Sequence, residues 1–526
     1  MLSKSHFSLI FLIILLTAIA FRAPKLDMRP MHGDEAVHAI KFGALLEQGD
    51  YKYDPHEYHG PTLNYFTLIP AWVSSQTALA NVSETTLRYV PLFFGVMILL
   101  CLLLLKNGLG WPAILPSALL TAVSPAMVFY SRYYIQEILR VCFAFFAIVC
   151  GFRYFQEQRR GWAIAAGACL GLMHATKETW IIFLAAMGIS LLVIMLVKGD
   201  GIKTSLRNKL RIADMGWAIA AGAIVSILFF SSFFTNPAGI WDSVATYIAY
   251  LDRAGGNPWH IHPWYYYLEI MNRFQLNDGP LFSEMLIVLL AIPAIIAAGT
   301  GRQIQGVDPI LLKFFSMYSL LLLIFFSIIP YKTPWNILGA WQGMIVLAGI
   351  GCAALWQWKI PKLVKLGIGV IIIGGFIHLA WQAYLANYEY HASPENPHVY
   401  AHPTNDVLAI TAEIENIASV HPDSGALYIE AIFPGGDYWP FPWYLRSFSK
   451  VGWWGEVKKD MPAAPIILCS PLVEEALVEK LYFHPPPGQR HLYVPMFDHP
   501  IEMRPHVEMR AYVRKDLIDL LNQNNN

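Results

Sequence analysis

Long apolar segments recur along the first three quarters of the chain and are separated by short polar turns. A run of about 20 apolar residues is long enough to cross the hydrocarbon core of a bilayer as a helix. By this criterion the pattern predicts about eleven membrane spans. Their expected limits are 7–22, 87–105, 112–130, 134–154, 161–176, 178–197, 214–234, 281–299, 311–329, 336–356 and 366–385. The chain is therefore predicted to be a polytopic α-helical membrane protein.

The pattern changes after residue 387, where prolines and charges become frequent and the apolar runs become short. Alternating apolar runs predict strands at 426–430, 465–469 and 491–495. Helical periodicity predicts helices at 404–418, 471–481 and 514–522. We therefore expect a transmembrane domain over residues 1–386 and an α/β domain over residues 387–526.

The composition agrees with a membrane protein. Charged residues make up 14% of the chain and hydrophobic residues 56%, whereas soluble domains carry about 25% charged residues. The formal net charge is zero, which gives no reason to expect a nucleic-acid partner. Most of the six cysteines lie in apolar runs and are interpreted as small buried side chains rather than a disulfide framework.

Lysines and arginines are concentrated in alternate loops, and cytoplasmic loops of membrane proteins carry such an excess. These loops hold Lys106; Arg153, Arg159 and Arg160; Lys198, Lys203, Arg207, Lys209 and Arg211; Arg302 and Lys313; and Lys359, Lys362 and Lys365. The asymmetry predicts a multi-pass protein of the plasma membrane with a cytoplasmic N-terminus. With an odd number of spans, residues 387–526 would be extracytoplasmic. Residues 23–86 would form the first outer loop, with amphipathic helices.

Two adjacent carboxylates, Asp34 and Glu35, follow the first span in the segment Met31-His-Gly-Asp-Glu-Ala-Val-His38. One interpretation is a helix start, because acidic residues suit the first turn of a helix. The other interpretation is a base and a sugar- or metal-binding group at the mouth of a membrane cavity. The carboxylate pair alone leaves both interpretations open.

Glu137 is a more specific candidate, because it stands near the start of an apolar span between Arg132 and Arg140. Ionisable residues at membrane depth are costly and usually face a cavity. The alternative is an ordinary ion pair between Glu137 and Arg140, which are three residues apart on a helix surface.

Lys177 and Lys332 each occupy a very short outer turn between two spans. Either lysine could simply extend to the lipid headgroups. Positive charge on the outer side nevertheless runs against the loop asymmetry, so an anionic ligand such as a phosphate is an alternative.

The histidines raise the possibility of a divalent metal site formed by His32, His38, His260 and His262. Their spacing is not specific for a metal, and a pair of hydrogen-bonded loop histidines is the alternative. The sequence has no phosphate-binding loop, dinucleotide fingerprint or nucleophile elbow. Any sugar donor is therefore expected to be lipid-borne rather than nucleotide-borne.

The arrangement resembles the GT-C membrane glycosyltransferases, in particular the family 39 group of protein O-mannosyltransferases and the aminoarabinose transferase of lipid A. The segments that carry the resemblance are Gly33-Asp-Glu35, Ser131-Arg-Tyr-Tyr-Ile-Gln-Glu137, Gly171-Leu-Met-His-Ala-Thr-Lys177 and Ser327-Ile-Ile-Pro-Tyr-Lys-Thr-Pro334. The segments Met31–Ala36, Tyr331–Trp335 and Trp439–Arg446 further resemble the group of flippase-activity-associated proteins of archaeal-type glycosylation.

The resemblance implies a polyprenyl-phosphate-sugar donor and transfer to a glycan, lipid or protein acceptor on the outer face of the membrane. Asp34 would be the general base of an inverting transfer, with Glu35 and Glu137 assisting or positioning the substrates. The departing phosphate would be neutralised by Lys177, Lys332 and one of the arginines Arg132 and Arg140.

Two other functions remain open from the sequence. A transporter or flippase-associated component of a lipid-linked saccharide pathway would predict inverted repeats and charges near the membrane midplane. The chain has no evident repeat, and its charges lie at the ends of spans. A non-catalytic scaffold that docks glycosylation enzymes is the second alternative.

Overall fold

A computed structural model describes residues 4–524 except 57–58, 198–208, 254–259 and 487. Seven of the described helices are long and apolar enough to cross a membrane: Ser5–Arg22, Glu84–Leu104, Glu137–Glu157, Ile212–Phe230, Pro309–Ile328, Pro334–Gln357 and Lys362–Glu389. Three shorter apolar helices are Trp111–Val123, Trp180–Leu196 and Met285–Thr300. The remaining predicted span, 161–176, coincides with the helix Arg160–His174, which has 15 residues. The predicted fold class of a polytopic helical protein is confirmed.

The helices are numbered here in chain order. They are α1 (Lys4–Arg22), α2 (Gly33–Gln48), α3 (Thr62–Val73), α4 (Glu84–Leu104), α5 (Trp111–Val123), α6 (Pro125–Tyr130), α7 (Glu137–Glu157), α8 (Arg160–His174), α9 (Trp180–Val197), α10 (Ile212–Phe230), α11 (Ala238–Arg253), α12 (Tyr266–Asn272), α13 (Met285–Thr300), α14 (Pro309–Ile328), α15 (Leu338–Gln357), α16 (Lys362–Tyr384), α17 (Asp406–Ser419), α18 (Glu474–Tyr482) and α19 (Lys515–Asn524). Short helical turns occur at Lys106–Leu109 and Phe441–Tyr444.

The predicted span 112–130 is interrupted at Ser124, which separates α5 from α6. The Ser124 hydroxyl accepts a hydrogen bond from the backbone N–H of Met127, and Pro125 occupies the first position of α6. A serine cap followed by proline favours a new helix start. This break was not predicted, because both sides of it are apolar.

Helices α8 and α10 pack closely enough for their backbones to touch. A Cβ on Gly171 would lie 2.4 Å from the carbonyl oxygen of Gly222, and a Cβ on Gly167 would lie 1.9 Å from that of Ala218. Small residues at such contacts allow membrane helices to approach one another. These contacts hold the end of α8, and the turn that follows it, against the bundle.

The polar C-terminal region forms the expected small sheet domain. Its strands are β1 (Ile429–Ile432), β2 (Val451–Trp454), β3 (Ile466–Cys469), β4 (Tyr493–Pro495), β5 (Ile501–Arg504) and β6 (Val507–Arg514), in the order β2-β1-β3-β6-β4, with β5 paired to β6. Strand β1 is parallel to β2 and β3, whereas β6 is antiparallel to β3, β4 and β5.

The three predicted strands and three predicted helices of this domain are confirmed as β1, β3 and β4 and as α17, α18 and α19. Strands β2, β5 and β6 were not predicted. Strand β6 alternates buried and partly exposed residues along its length, and its charged positions obscured the apolar alternation.

The sheet domain packs directly on the segment that follows α1. The hydroxyl of Tyr444 accepts a hydrogen bond of 2.8 Å from the backbone N–H of Met31. The indole of Trp443 donates to Glu84 at the start of α4, at 2.7 Å. The Arg446 guanidinium donates to the carbonyl oxygens of Leu79 and Val82. The aromatic run 439–446 therefore joins the sheet domain to the first outer loop.

Candidate active site at the start of α2

Asp34 lies in the first turn of α2, and His32 caps that helix. The His32 ring accepts a hydrogen bond from the backbone N–H of Asp34 at 2.9 Å, and Glu35 accepts one from the backbone N–H of His32 at 3.0 Å. This reciprocal arrangement is a capping box with histidine in place of serine or threonine. The helix start proposed for Asp34 and Glu35 is therefore present, and it holds the two carboxylates in different directions.

The Asp34 side chain is open to solvent, with 53% of its surface accessible, although Ala36 and Ala39 on the same helix are fully buried. Desolvation raises the pKa of the Asp34 carboxyl, but interactions with nearby basic groups outweigh it and lower that pKa. The basic groups are His32, His38, His59 and Lys177. An accessible carboxylate ringed by basic side chains can contact a substrate and accept a proton.

Glu35, by contrast, is completely buried and fully engaged. Its two oxygens accept hydrogen bonds from the Arg88 guanidinium at 2.8 and 2.7 Å. The backbone N–H of Tyr134 donates a further bond at 2.8 Å. Because both Glu35 oxygens already accept hydrogen bonds from the protein, this carboxylate positions the start of α2 and is not oriented towards a substrate.

Arg88 was not anticipated as a functional residue. It is fully buried, and in addition to Glu35 it donates to the carbonyl oxygens of Leu26 and Arg29 at 2.6 and 2.8 Å. The signal in the sequence is a single arginine near the start of an otherwise apolar span, where an unpaired charge would be costly. Arg88 thus ties the segment before Asp34 to α4.

Glu137 begins α7, and its carboxylate contacts the Nζ of Lys177 in the turn after α8. Both side chains are buried. The sequence also allowed an ion pair between Glu137 and Arg140. In the structure the ion pair of Glu137 is formed with Lys177 instead. Lys177 also interacts with Asp34, and His59 interacts with both carboxylates. Asp34, Glu137 and Lys177 therefore belong to one site.

The two arginines near Glu137 have different surroundings. Arg140 is buried, donates to the hydroxyl of Thr179, and lies 4.6 Å above the ring of Phe183. The Arg132 guanidinium donates to the carbonyl oxygens of Arg22, Pro24 and Lys25 at 2.7–2.8 Å and to the hydroxyl of Tyr388 at 3.2 Å. Four oxygen acceptors hold Arg132 as a structural clamp on the end of α1, and this geometry disfavours the predicted contact with a phosphate.

Lys332 lies between α14 and α15, with its Nζ donating to the carbonyl oxygens of His262 and Ile329 at 3.0 and 2.5 Å. Burial lowers the pKa of Lys332. Its backbone N–H donates to the carbonyl oxygen of His260, and the His260 ring interacts with Asp34. Lys332 therefore lies beside the 260–262 segment, whose His260 interacts with Asp34.

The four histidines considered for a metal are distributed among different partners. His260 and His262 both contact the hydroxyl of Tyr400, at 2.7 and 3.2 Å. His32 contacts the carbonyl oxygen of Tyr400 at 3.1 Å, and His38 contacts Gln136. In the part of the chain that the structure describes, no three histidine, cysteine, aspartate or glutamate side chains form a group that could hold a metal ion.

Residues from the C-terminal region complete the surroundings of His32. The ring of His402 lies 4.8 Å from the His32 ring, and that of Trp335 lies 6.0 Å from it. Tyr400 and His402 follow the last span and were not anticipated, because nothing in the sequence indicates their return to the first outer loop. The surroundings of α2 therefore include groups from both ends of the chain.

Comparisons with known proteins agree with this architecture. Residues 67–231, less than half of the chain, match the family model described as dolichyl-phosphate-mannose-protein mannosyltransferase. The matched region contains Glu137 and Lys177 but neither Asp34 nor Lys332. No curated protein has a significantly similar sequence.

The solved structures with similar folds include two that were determined with a polyprenyl phosphate bound. ArnT from Cupriavidus metallidurans, bound to undecaprenyl phosphate, has a TM-score of 0.62 at 15% identity, covering 97% of this chain and 98% of that one. The oligosaccharyltransferase AglB from Archaeoglobus fulgidus, in complex with an inhibitory peptide and a dolichol-phosphate, has a TM-score of 0.54 at 12% identity, covering 89% and 69%. These likenesses confirm the resemblance at the level of the fold: the chain has the fold of the GT-C membrane glycosyltransferases.

Proposed function

We propose that this protein is a membrane glycosyltransferase that moves a sugar from a polyprenyl-phosphate donor to an acceptor hydroxyl on a glycan, lipid or protein. The observation that carries the proposal is the accessible Asp34 carboxylate, which shares a site with the Glu137–Lys177 pair. The fold supports it, since the ArnT and AglB structures with this fold hold polyprenyl phosphates.

In the proposed reaction, Asp34 accepts the proton of the acceptor hydroxyl while the hydroxyl oxygen attacks the anomeric carbon. The bond between that carbon and the phosphate oxygen breaks, and the polyprenyl phosphate leaves. A direct displacement inverts the anomeric configuration. The reaction needs only one base and a set of positive charges, because the departing phosphate takes up the negative charge that develops as the bond breaks.

The positive charges assigned to the leaving phosphate are Lys177, Lys332 and Arg140. Lys177 interacts with Asp34, and Lys332 lies beside the segment of His260, which interacts with Asp34 too. An ammonium group suits a phosphate as a compact charge. Glu137 holds Lys177 in place. We reassign Arg132 and Glu35 to positioning roles, because each is saturated by hydrogen bonds within the protein.

We further propose that this chemistry takes place on the extracytoplasmic face of the plasma membrane, with the N-terminus in the cytoplasm. The basic loops support this orientation, although Lys198, Lys203 and Arg207 of that set lie outside the described residues. Residues 1–386 would be the transmembrane domain and 387–526 the outer domain. The π-helical turn Leu385–Glu389 at the end of α16 supports this boundary.

The proposal is tested by reconstituting the full chain in liposomes that contain radiolabelled polyprenyl-phosphate mannose, glucose or aminoarabinose, together with a mixture of glycan, lipid and hydroxyl-bearing peptide acceptors. Release of polyprenyl phosphate measures donor consumption whatever the acceptor is. The expected result is release from at least one donor, faster than in liposomes without protein. Movement of the intact donor between leaflets with no release would favour the flippase-associated alternative and contradict the proposal.

A further inference from the structure

A second acid–base pair borders the Asp34 site. The Nδ1 of His59, in the loop before α3, lies 2.9 Å from the Oε2 of Glu178, in the turn before α9. The other oxygen of Glu178, Oε1, accepts a hydrogen bond of 2.9 Å from the Tyr53 hydroxyl. Glu178 is buried, whereas 27% of the His59 side chain is accessible. The pair therefore has a buried carboxylate end and an accessible imidazole end.

The charge of Glu178 fixes the tautomer of His59. Desolvation raises the pKa of the Glu178 carboxyl, but its interaction with His59 outweighs this and lowers that pKa to about 2. An ionised carboxylate only accepts hydrogen bonds, so His59 Nδ1–H donates to it. In the neutral imidazole, Nε2 then carries the lone pair that can accept a proton. A carboxylate that orients a histidine in this way is a recurring arrangement in acid–base catalysis.

His59 faces the same groups as Asp34. Asp34 and His38 are four residues apart on α2 and share a face of that helix. The His38 ring lies 6.0 Å from the His59 ring. The charged and titratable groups that interact with His59 are Asp34, Glu137, Glu178 and His38, and Lys177 interacts with Asp34 and His38.

The other three histidines that interact with Asp34 are less suited to accepting a proton. Desolvation lowers the pKa of His260, whose ring contacts the hydroxyl of Tyr400. Desolvation lowers the pKa of His32 and lowers that of His38 to about 4. His32 caps α2, and His38 contacts Gln136; neither has a buried carboxylate hydrogen-bonded to its ring as His59 has. His59 differs from them because the Glu178 carboxylate, hydrogen-bonded to its ring, stabilises the protonated imidazole.

We propose that the Glu178–His59 pair is a proton relay, in which His59 receives the proton that Asp34 removes from the acceptor hydroxyl. This inference rests on the proposed glycosyl transfer. His59 is the relay residue, and Glu178 is a positioning residue that acts through it.

The glycosyl transfer and the relay together move one proton from the acceptor to water. The acceptor O–H bond breaks as its oxygen bonds to the anomeric carbon, and the proton moves to an Asp34 carboxylate oxygen. The bond from the anomeric carbon to the phosphate breaks, with its electron pair staying on the phosphate. The proton then moves from Asp34 to Nε2 of His59 and from there to water. No oxidant, reductant or further reactant is required.

A relay is useful at this position because it carries the transferred proton away from the reacting oxygens, so that Asp34 is ionised again for the next turnover. Imidazole is the side chain that exchanges protons readily between pH 5 and 8, and a positioned acid–base group contributes typically about 10²–10⁴-fold to a rate.

The test compares His59→Gln, His59→Ala and Glu178→Gln with the wild type in the proteoliposome assay, using the polyprenyl-phosphate sugar that the wild type consumes. We expect His59→Gln to lower kcat by about 10²-fold with a smaller change in donor KM. We also expect the wild-type decline of rate between pH 8 and 5 to flatten in this variant. Glu178→Gln should lower kcat less, because glutamine still accepts the His59 N–H.

Rescue by added imidazole distinguishes a proton relay from a packing role of His59. Imidazole in solution can replace a lost proton acceptor, but it cannot restore lost packing contacts. It should raise the rate of His59→Ala and leave Asp34→Ala inactive. His56→Gln is the matched control, since His56 is an exposed histidine of the same loop, and it should retain the wild-type rate and pH profile. A wild-type pH profile in His59→Gln, or no rescue of His59→Ala by imidazole, would overturn the relay. If the wild type releases no polyprenyl phosphate from any donor, the proposed transfer itself fails, which is a different result.

Discussion

The Nζ of Lys177 contacts the Oε1 of Glu137, 40 residues earlier in the chain. The two residues belong to two of the four sequence segments that resemble family 39, and both side chains are buried. A buried ion pair gains little over two apolar side chains but is costly to break from one side. This pair therefore fixes the turn after α8 against the start of α7, next to Asp34.

We predict that Glu137→Gln and Lys177→Met each lower stability, by about 3–5 kcal/mol for the loss of one partner of a buried pair. The double variant should be less destabilised than the sum of the two changes. Thermal unfolding of the detergent-solubilised protein measures the coupling. Additive losses would show that the two residues act independently, contrary to the contact described here.

Arg88→Met should leave the Glu35 carboxylate buried without its guanidinium partner. We expect a loss of about 3–5 kcal/mol in unfolding free energy and a fall in kcat, because the segment that presents Asp34 loses its connection to α4. Glu35→Gln combined with Arg88→Met should recover part of the stability. Arg159→Met, at an arginine whose side chain is 78% exposed, is the control and should change neither quantity. An Arg88→Met protein as stable as the control would contradict the positioning role.

Arg132 and Lys332 should respond differently to substitution. Arg132→Lys cannot reproduce the guanidinium bonds to three carbonyl oxygens, so we expect lower stability with an unchanged donor KM. Lys332→Ala should raise the donor KM, because it removes a charge assigned to the phosphate. Lys362→Ala, at an exposed lysine, is the control for Lys332. A raised donor KM in Arg132→Lys with unchanged stability would return Arg132 to phosphate binding.

The Glu178 carboxylate should make stability depend on pH. Its folded-state pKa of about 2 lies below the ordinary value of 4.5 for a glutamate, so its contribution is present above about pH 4.5 and is lost as the pH falls towards 2. Full loss corresponds to about 3 kcal/mol. Unfolding of the wild type and of Glu178→Gln should therefore differ most at neutral pH and converge below pH 4.5. Glu475→Gln, at an exposed helix start, should track the wild type throughout, and a difference that grows with acid would refute the assignment.

The sequence predicts the helices of this protein well, because long apolar runs have few alternatives in a membrane protein. It also singles out Asp34, Glu137 and Lys177, whose charged groups interact in the structure, while their catalytic roles stay a prediction. It does not identify their partners, because contacts such as Glu35 with Arg88, 53 residues apart, depend on how the helices pack. Arg132 illustrates the limit: the sequence shows an arginine near an acid, and only the packing supplies its three carbonyl acceptors.

The contribution of the C-terminal region was equally unpredictable. The aromatic run 439–446 lies far along the chain from the first outer loop, and the sequence does not show which part of the chain it contacts. Trp443 is completely buried and donates to Glu84, while Tyr444 binds the backbone of Met31. Packing is therefore its main role, and it supports the segment that leads into α2.

The most direct test of the account is the rate at which Asp34→Asn releases polyprenyl phosphate from the donor that the wild type uses. Asparagine keeps the size of the side chain but cannot accept the proton. We predict a loss of at least about 10²-fold in kcat, while Asp50→Asn, at an exposed aspartate paired with Lys52 at 3.5 Å, retains the wild-type rate. An Asp34→Asn protein that transfers sugar at the wild-type rate would contradict the assignment of Asp34 as the base.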